Sequence, residues 1–141
     1  MFIDHAALID TLGDGVVIAD STGAIRLWNA GAERIFGFTC AESLGKSLDQ
    51  IIPERYRQRH WMGFDQVMKT GETRYGSEVL RVPALHKDGR PLSIAFTVAL
   101  LFDAEHQVSG IAAVVRDDTT RFAEERELRK RVAELEKKSS A

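Results

Sequence analysis

The segment 91–102 constrains the fold most, because large apolar side chains occupy every second position along it. These larger side chains are Leu92, Ile94, Phe96, Val98 and Leu100. A period of two places them on one face of a β-strand, and that face is expected to meet a core. Turn-forming residues lie on both sides, at 87–90 and 103–107, and the Asp88-Gly89 pair is a strong hairpin signal. The pattern therefore predicts a three-stranded antiparallel meander. Its strands are expected at 73–85, 91–102 and 108–116.

The first third of the chain predicts a hairpin followed by short helices. The β-branched run 15–20 and the segment 24–28 are expected to pair around a turn that ends at Gly23. Asn29 and Thr39 are residue types that cap helices. They predict helices from Asn29 to Phe36 and around Glu42, and a further turn is expected after Ser47.

A longer helix is expected at residues 54–69. Pro53 stands where the first turn begins, a position that proline tolerates, and Gly71 follows the end. One face of this helix carries four residues at helical spacing, and we predict that it points inward. These residues are Tyr56, His60, Phe64 and Val67. The other side is basic, with Arg55, Arg57 and Arg59, and is either solvated or in contact with an anionic ligand.

Both termini predict amphipathic helices, at 2–12 and at 118–141. In the second of these, Leu128, Val132 and Leu135 lie four and three residues apart, as in the seam of a two-stranded coiled coil. The seam is short, so it would be weak as an isolated helix pair.

Composition excludes several classes of protein. A net charge of −2 and a pI near 6.1 give no bulk attraction to nucleic acid or to an anionic membrane. No apolar run approaches the roughly 18 residues of a membrane span, and the amino terminus does not read as a signal peptide. Cys40 is the only cysteine, which excludes an internal disulfide and fits a reducing cytoplasm of bacterial type. We find no phosphate loop, metal cluster or nucleophile–base pair, so an enzyme is not expected.

Several motifs in this order resemble those of the PAS family. They are DGVVIAD, IRLWNAGAERIFGF, ESLGKSL, KDGRP and VVRDDTTRFAEE, and together they cover about residues 5–120. The resemblance implies an α+β fold, a five-stranded antiparallel sheet with short helices on one face that enclose a small pocket. It divides the chain into an N-terminal helix (1–12), a PAS domain (13–118) and a C-terminal signalling helix (119–141). It also implies that Glu42 pairs with Lys87, and that Asp117-Asp118 joins the sheet to the C-terminal helix.

The stretch from Tyr56 to Gly76 resembles the haem-binding PAS domain of rhizobial oxygen-sensor kinases. The shared Y-R-x-x-H pattern implies haem b with His60 as its axial and metal ligand, and an imidazole is a good iron ligand. Ile94, Phe96 and Val98 would form the wall opposite the helix. Leu80 stands where the oxygen sensors carry an arginine, and Arg81 would reach the pocket only through a β-bulge. The alternative is that His60 is a core residue and the pocket is empty or holds another small molecule.

The resemblance implies a sensory module rather than an enzyme. We expect a homodimer formed through the N-terminal helix and residues 121–138, with a kinase or cyclase as the possible effector. The alternative is a cofactor-free domain for dimerisation, protein interaction or metabolite sensing. Flavin photochemistry is not expected, because no cysteine precedes the long helix in the required motif.

Overall fold

The computed structural model describes residues 1–73 and 76–139. Its strands are β1 (Gly15–Asp20), β2 (Ile25–Trp28), β3 (Leu80–Leu85), β4 (Pro91–Phe102) and β5 (Val108–Asp117). Its helices are α1 (His5–Thr11), α2 (Ala30–Phe36), α3 (Cys40–Ser43), α4 (Glu54–Thr70) and α5 (Thr119–Ser139), with a 3-10 turn at Leu48–Ile51. The strands form a five-stranded sheet in the order β2-β1-β5-β4-β3, and each neighbouring pair is antiparallel. The predicted α+β architecture and the meander are confirmed.

Strand register determines which face of the sheet meets the core. Val115 of β5 pairs with Phe96 of β4, and Ala113 pairs with Val98. Directly opposed residues in an antiparallel pair project to the same face. The face that carries them contributes Val17, Ala19, Leu92, Ile94 and Val115 to one buried cluster with Phe36 and Phe64 of the helices. The alternation predicted in β4 is therefore the alternation between the core face and the outer face.

Asn29 ties the first strand to the helices. Its side-chain oxygen accepts from the backbone N–H groups of Val16 at 2.7 Å and Ala32 at 2.9 Å. Its amide nitrogen donates to the carbonyls of Ile9 at 2.7 Å and Asp14 at 3.1 Å. The predicted cap at Asn29 is confirmed, and it also holds α1 against the start of β1.

Several element boundaries differ from the predictions, most of all the start of the third strand. The strand predicted from Thr73 begins only at Leu80, because Gly76 has a positive φ of 53° and its N–H donates to Thr73 Oγ1. The helix predicted from residue 2 begins at His5, where the Asp4 side chain accepts from Ala7 N–H. The last helix begins at Thr119 rather than at residue 118. Residues 74, 75, 140 and 141, which the predictions placed in the third strand and the last helix, lie outside the described residues.

Within the described ranges, we find no helix that is both long enough and apolar enough to cross a bilayer.

Candidate functional site

His60 lies in the middle of α4, where its ring contacts two aromatic residues of the same helix. Its ring centroid is 4.7 Å from that of Trp61, edge to face, and 6.1 Å from that of Phe64. Nδ1 is buried, and it has no hydrogen-bond partner among residues 1–73 and 76–139. A buried polar atom without a partner costs free energy. An unused ring nitrogen is also what a ligand or metal ion would need.

The environment of His60 favours the neutral imidazole. Burial lowers the pKa of His60 below its ordinary value of 6.5, and the nearby carboxylate of Asp49 opposes the shift. The neutral ring is the form that binds a metal. The charge state and the unpartnered nitrogen of His60 therefore fit a haem ligand.

Trp61 fixes the part of α4 that carries His60. Its Nε1 donates to Asp49 Oδ1 at 2.7 Å. Its ring packs against the β1–β2 turn so closely that a Cβ added at Gly23 would lie 2.3 Å from it. Trp61 and Asp49 were not among the predicted site residues. The available signal was the indole directly beside His60 in the sequence.

The apolar residues predicted for the pocket share the core face of the sheet. Ile94 is buried, Phe96 and Val98 are half-buried, and Leu80 joins the same face because it pairs with Phe96. Phe64 of α4 is buried in the cluster that contains Ile94. The predicted sheet residues therefore share one face, and of the predicted helix residues Phe64 is buried in the same cluster as Ile94.

Arg81 lies on the other face of the sheet. The β3–β4 register runs without a shift from Leu80 to Leu85, and it pairs Arg81 with Ala95. The bulge that would turn Arg81 inward is absent from this described pairing. Arg81 Nε instead lies 3.6 Å from Asp118 Oδ2, at the start of α5.

Tyr56 lines a groove on the outside of the domain rather than the apolar core. This groove, about 910 Å³ in volume, separates α5 from the β3–β4 hairpin and from the first turn of α4. We call it the hairpin groove. Its polar and aromatic lining includes Arg55, Tyr56, Arg81, Phe122, Arg126 and Lys130. Val67, the fourth residue of the predicted helix face, is half-buried near the end of α4. The structure thus places Phe64 in one buried cluster with Ile94, and His60 beside Phe64 on α4. Tyr56 and Arg81 instead line the hairpin groove.

The predicted pair between Glu42 and Lys87 is confirmed, with the Lys87 ammonium on Glu42 Oε2. This hydrogen bond lowers the pKa of the Glu42 carboxyl below its ordinary value. Glu42 also completes a capping box with Thr39 at the start of α3. The pair therefore connects the helical side of the domain to the β3–β4 turn.

An apolar stripe along α5 is left uncovered by the described part of the chain. Leu128, Val132 and Leu135 are all exposed, as are Phe2, Ile3 and Leu8 at the amino terminus. Exposed apolar stripes of this kind mark interaction sites. Both regions coincide with the predicted dimer contacts.

Among the described residues, no group of three or more His, Cys, Asp or Glu residues is arranged to hold a metal ion.

Comparisons with known proteins agree on the fold. The PAS fold family matches residues 4–117. A protein of Azorhizobium caulinodans, described as uncharacterized, is 36% identical over 126 residues, which are 86% of this chain and 16% of that protein. Sensor protein FixL of Bradyrhizobium diazoefficiens is 33% identical over 54 residues, which are 38% of this chain and 11% of that protein. This chain therefore spans a small part of the length of either relative.

Solved structures give the same result at lower identity. The PAS domain of a Colwellia psychrerythraea protein superposes with a TM-score of 0.72 at 22% identity, covering 82% of this chain and 95% of that one. A sensory box histidine kinase/response regulator from Burkholderia thailandensis superposes with a TM-score of 0.68 at 16% identity, covering 94% and 98%. At these identities the likeness shows the fold alone. The family match and the five-stranded sheet together establish that this chain belongs to the PAS family, whose members are sensory domains of signalling proteins.

Proposed function

We propose that this PAS domain binds a small ligand or cofactor between α4 and the inner face of β3–β4, and that it signals through homodimerisation and α5. Haem b with His60 as the axial ligand is the leading specific candidate. The observation that carries it is the buried Nδ1 of His60, which has no hydrogen-bond partner among the described residues. The local similarity to sensor protein FixL supports the same candidate.

Each residue of this pocket has a definite role in the proposal. His60 would hold the iron through its neutral imidazole, and Trp61 would keep the His60 ring in place through its bond to Asp49. Phe64, Ile94, Phe96 and Val98 would exclude water from the pocket. When bound, haem supplies an iron centre that responds to diatomic gases or to redox state.

Leu80 limits the signal that such a site would sense. It shares the inner face with Phe96 and offers no hydrogen-bond donor, whereas Arg81 points to the outer face. A bound oxygen molecule would lack a stabilising donor from this strand, since polarity and donors in the distal pocket decide oxygen binding. The proposal therefore favours carbon monoxide, nitric oxide or redox state over oxygen as the signal.

The output is proposed to run through α5. Its apolar stripe would pair with that of a second copy, and the exposed apolar residues of α1 would add to the same dimer. A kinase or cyclase domain elsewhere in a longer polypeptide is the proposed effector, because this chain corresponds to 16% and 11% of the lengths of its two relatives.

A cofactor-free dimerisation, protein-interaction or metabolite-sensing domain is the second candidate. The observation that favours it is that Phe64 and Ile94 are both buried in one core cluster formed by side chains of this protein. In that case His60 is a core residue, and its lowered pKa is only a consequence of burial.

Absorption spectroscopy separates the two candidates. The protein is expressed with haem supplied and is also titrated with hemin after purification. The haem proposal predicts a Soret band that saturates at one hemin per chain and is lost in His60→Ala. His5→Ala is the matched control, because it removes an exposed histidine from α1, and it should retain the band. A colourless protein that fails to take up hemin would eliminate haem and leave the second candidate.

The dimer is tested separately by light scattering at tens of micromolar protein. Leu128→Gln should shift the protein toward the monomer, whereas Arg131→Gln, at another exposed position on α5, should not. A wild-type protein that is monomeric under these conditions would contradict the proposed output.

A further inference from the structure

The hairpin groove carries an excess of positive charge that the proposed inner pocket does not use. Arg55, Arg126 and Lys130 line it, and none of them has an ion-pair partner among the described residues. Of the described residues that line the groove, one is acidic. It is Glu127, whose Oε1 lies 3.9 Å from Arg131 Nε on the same helix. Positive charges gathered around one cleft attract an anion.

Apolar surface lies between these cations. Val82, Pro83 and Pro91 of the β3–β4 hairpin form one side of the groove. Phe122 faces them from α5 with 51% of its surface exposed. Covering an exposed phenylalanine with a ligand removes apolar surface from water, which favours binding. The site is therefore suited to a molecule that has both a charged and an apolar part.

The first turn of α4 completes the groove. The Arg55 guanidinium lies 4.8 Å from the centre of the Tyr56 ring, so the aromatic ring supports the cation where it borders the groove. Pro53 precedes this turn and provides no side-chain cap. The positive end of the helix dipole adds to the charge of Arg55.

The groove and the apolar stripe lie on different faces of α5. Phe122, Arg126 and Lys130 recur at intervals of four residues, whereas Leu128 is two positions from Arg126, about 200° around the helix axis. Pairing of α5 with a second copy through Leu128 and Val132 therefore leaves the groove open. Both surfaces can be occupied at the same time.

We propose that the hairpin groove is a second ligand site, which binds a small carboxylate or sulfonate that carries an apolar body, such as an acyl-chain carboxylate. The groove volume of about 910 Å³ lies within the range of small-molecule sites. A ligand held there contacts the β3–β4 hairpin and α5 together. It would thus act on the signalling helix directly, without entering the pocket beside His60, so the inference does not depend on haem.

The test uses the full chain and two dyes that differ in one charge. 8-Anilinonaphthalene-1-sulfonate carries a sulfonate, and N-phenyl-1-naphthylamine has the same aromatic body without it. We expect the sulfonate dye to bind at least about tenfold more tightly, which corresponds to one good charge-assisted contact. Decanoate should displace it, and decanol should not.

Two double variants locate the site. Arg126→Ala/Lys130→Ala removes two groove cations and should weaken the sulfonate dye by about tenfold or more. Arg129→Ala/Lys138→Ala removes the same charge from exposed positions of α5 outside the groove and should change the affinity by less than about twofold. Equal affinities in the two double variants would overturn the proposal, as would equally tight binding of the uncharged dye. Binding to phosphatidylglycerol vesicles without binding of the free dye or decanoate would also overturn it, in favour of a membrane surface.

Discussion

Arg81 on β3 and Asp118 at the start of α5 form an ion pair, with 3.6 Å between Nε and Oδ2. The Asp118 side chain is only 13% exposed, and Arg121 Nη1 lies 3.3 Å from the same oxygen. The Asp118 N–H donates to the Ser93 carbonyl at 2.7 Å, and Ser93 N–H donates to Thr119 Oγ1 at 3.0 Å. These contacts fasten the start of α5 to the β3–β4 hairpin, which is where a change in the sheet would reach the helix.

Replacing Arg81 with Ala should loosen this attachment. We expect faster hydrogen exchange of the amides in the first two turns of α5, measured by mass spectrometry. The free energy of unfolding should fall by only about 0.5 kcal/mol, because Arg81 is half-exposed and Arg121 remains. Arg26→Ala is the control. It removes an exposed ion pair with Asp20 at the opposite edge of the sheet from β3. Exchange in α5 that is equally fast in both variants would show that Arg81 does not secure the helix.

Asn29→Ala should cost far more stability than an ordinary cap substitution. Four backbone groups lose their partner, and the site is buried, so the free energy of unfolding should fall by about 3 kcal/mol. The free energy of unfolding is measured by urea denaturation that is monitored by circular dichroism. Ser47→Ala removes an exposed cap whose side chain accepts from Asp49 N–H, and it should cost about 1 kcal/mol. Similar losses in the two variants would contradict the role of Asn29 in joining α1, β1 and α2.

The burial of His60 predicts a dependence of stability on pH. Its pKa is lowered in the folded state, so the unfolded chain binds more protons once the pH falls below about 6.5. The free energy of unfolding of the wild-type protein should therefore be unaffected by His60 above pH 6.5. It should decrease as the pH falls from 6.5 toward the pKa of His60 in the folded state. His60→Gln should lack this component, while His5→Gln should retain it. Urea midpoints at pH 7.5 and pH 5.5 provide the comparison, and identical pH dependence in all three proteins would contradict it.

Lys87 should control the titration of Glu42. The Lys87 hydrogen bond is the largest cause of the lowered pKa of Glu42, followed by the backbone bond from Thr39. Lys87→Met should therefore raise that pKa toward 4.5, as read from the side-chain carboxyl resonance by NMR. Any stability linked to this carboxylate is lost as the pH falls through its folded pKa. Arg90→Met, which leaves the Glu42 pair intact, should leave the Glu42 resonance unchanged.

Local patterns predicted the strands and caps because these depend on neighbours in the sequence. The structure confirms the strand predicted from the alternation in 91–102 and the caps predicted at Asn29 and Thr39. Each of these signals depends on residues only a few positions apart in the sequence. The late start of β3 depends on a turn at Gly76 that competes with strand-forming residues. That competition is settled by pairing with β4, which begins at Leu80.

The site was only partly predictable for a different reason. Helical spacing placed Tyr56 and His60 on one face, but the path of α5 creates the groove in which Tyr56 takes part. That path follows from the contacts of Asp118 and Thr119 with Ser93, which are 25 or more residues apart in the chain. The face occupied by Arg81 depended on an unbroken register that sequence alone left open.

The central proposal is that occupation of the pocket beside His60 changes the pairing of α5. The most direct test measures the dissociation constant of the dimer by sedimentation, with and without one equivalent of hemin, in the wild type and in His60→Ala. We predict a change of about fivefold or more in the wild type, the lower end of typical coupling between sites, and no change in the variant. A wild-type protein that binds hemin at one per chain while its dimer dissociation constant stays the same would contradict the account.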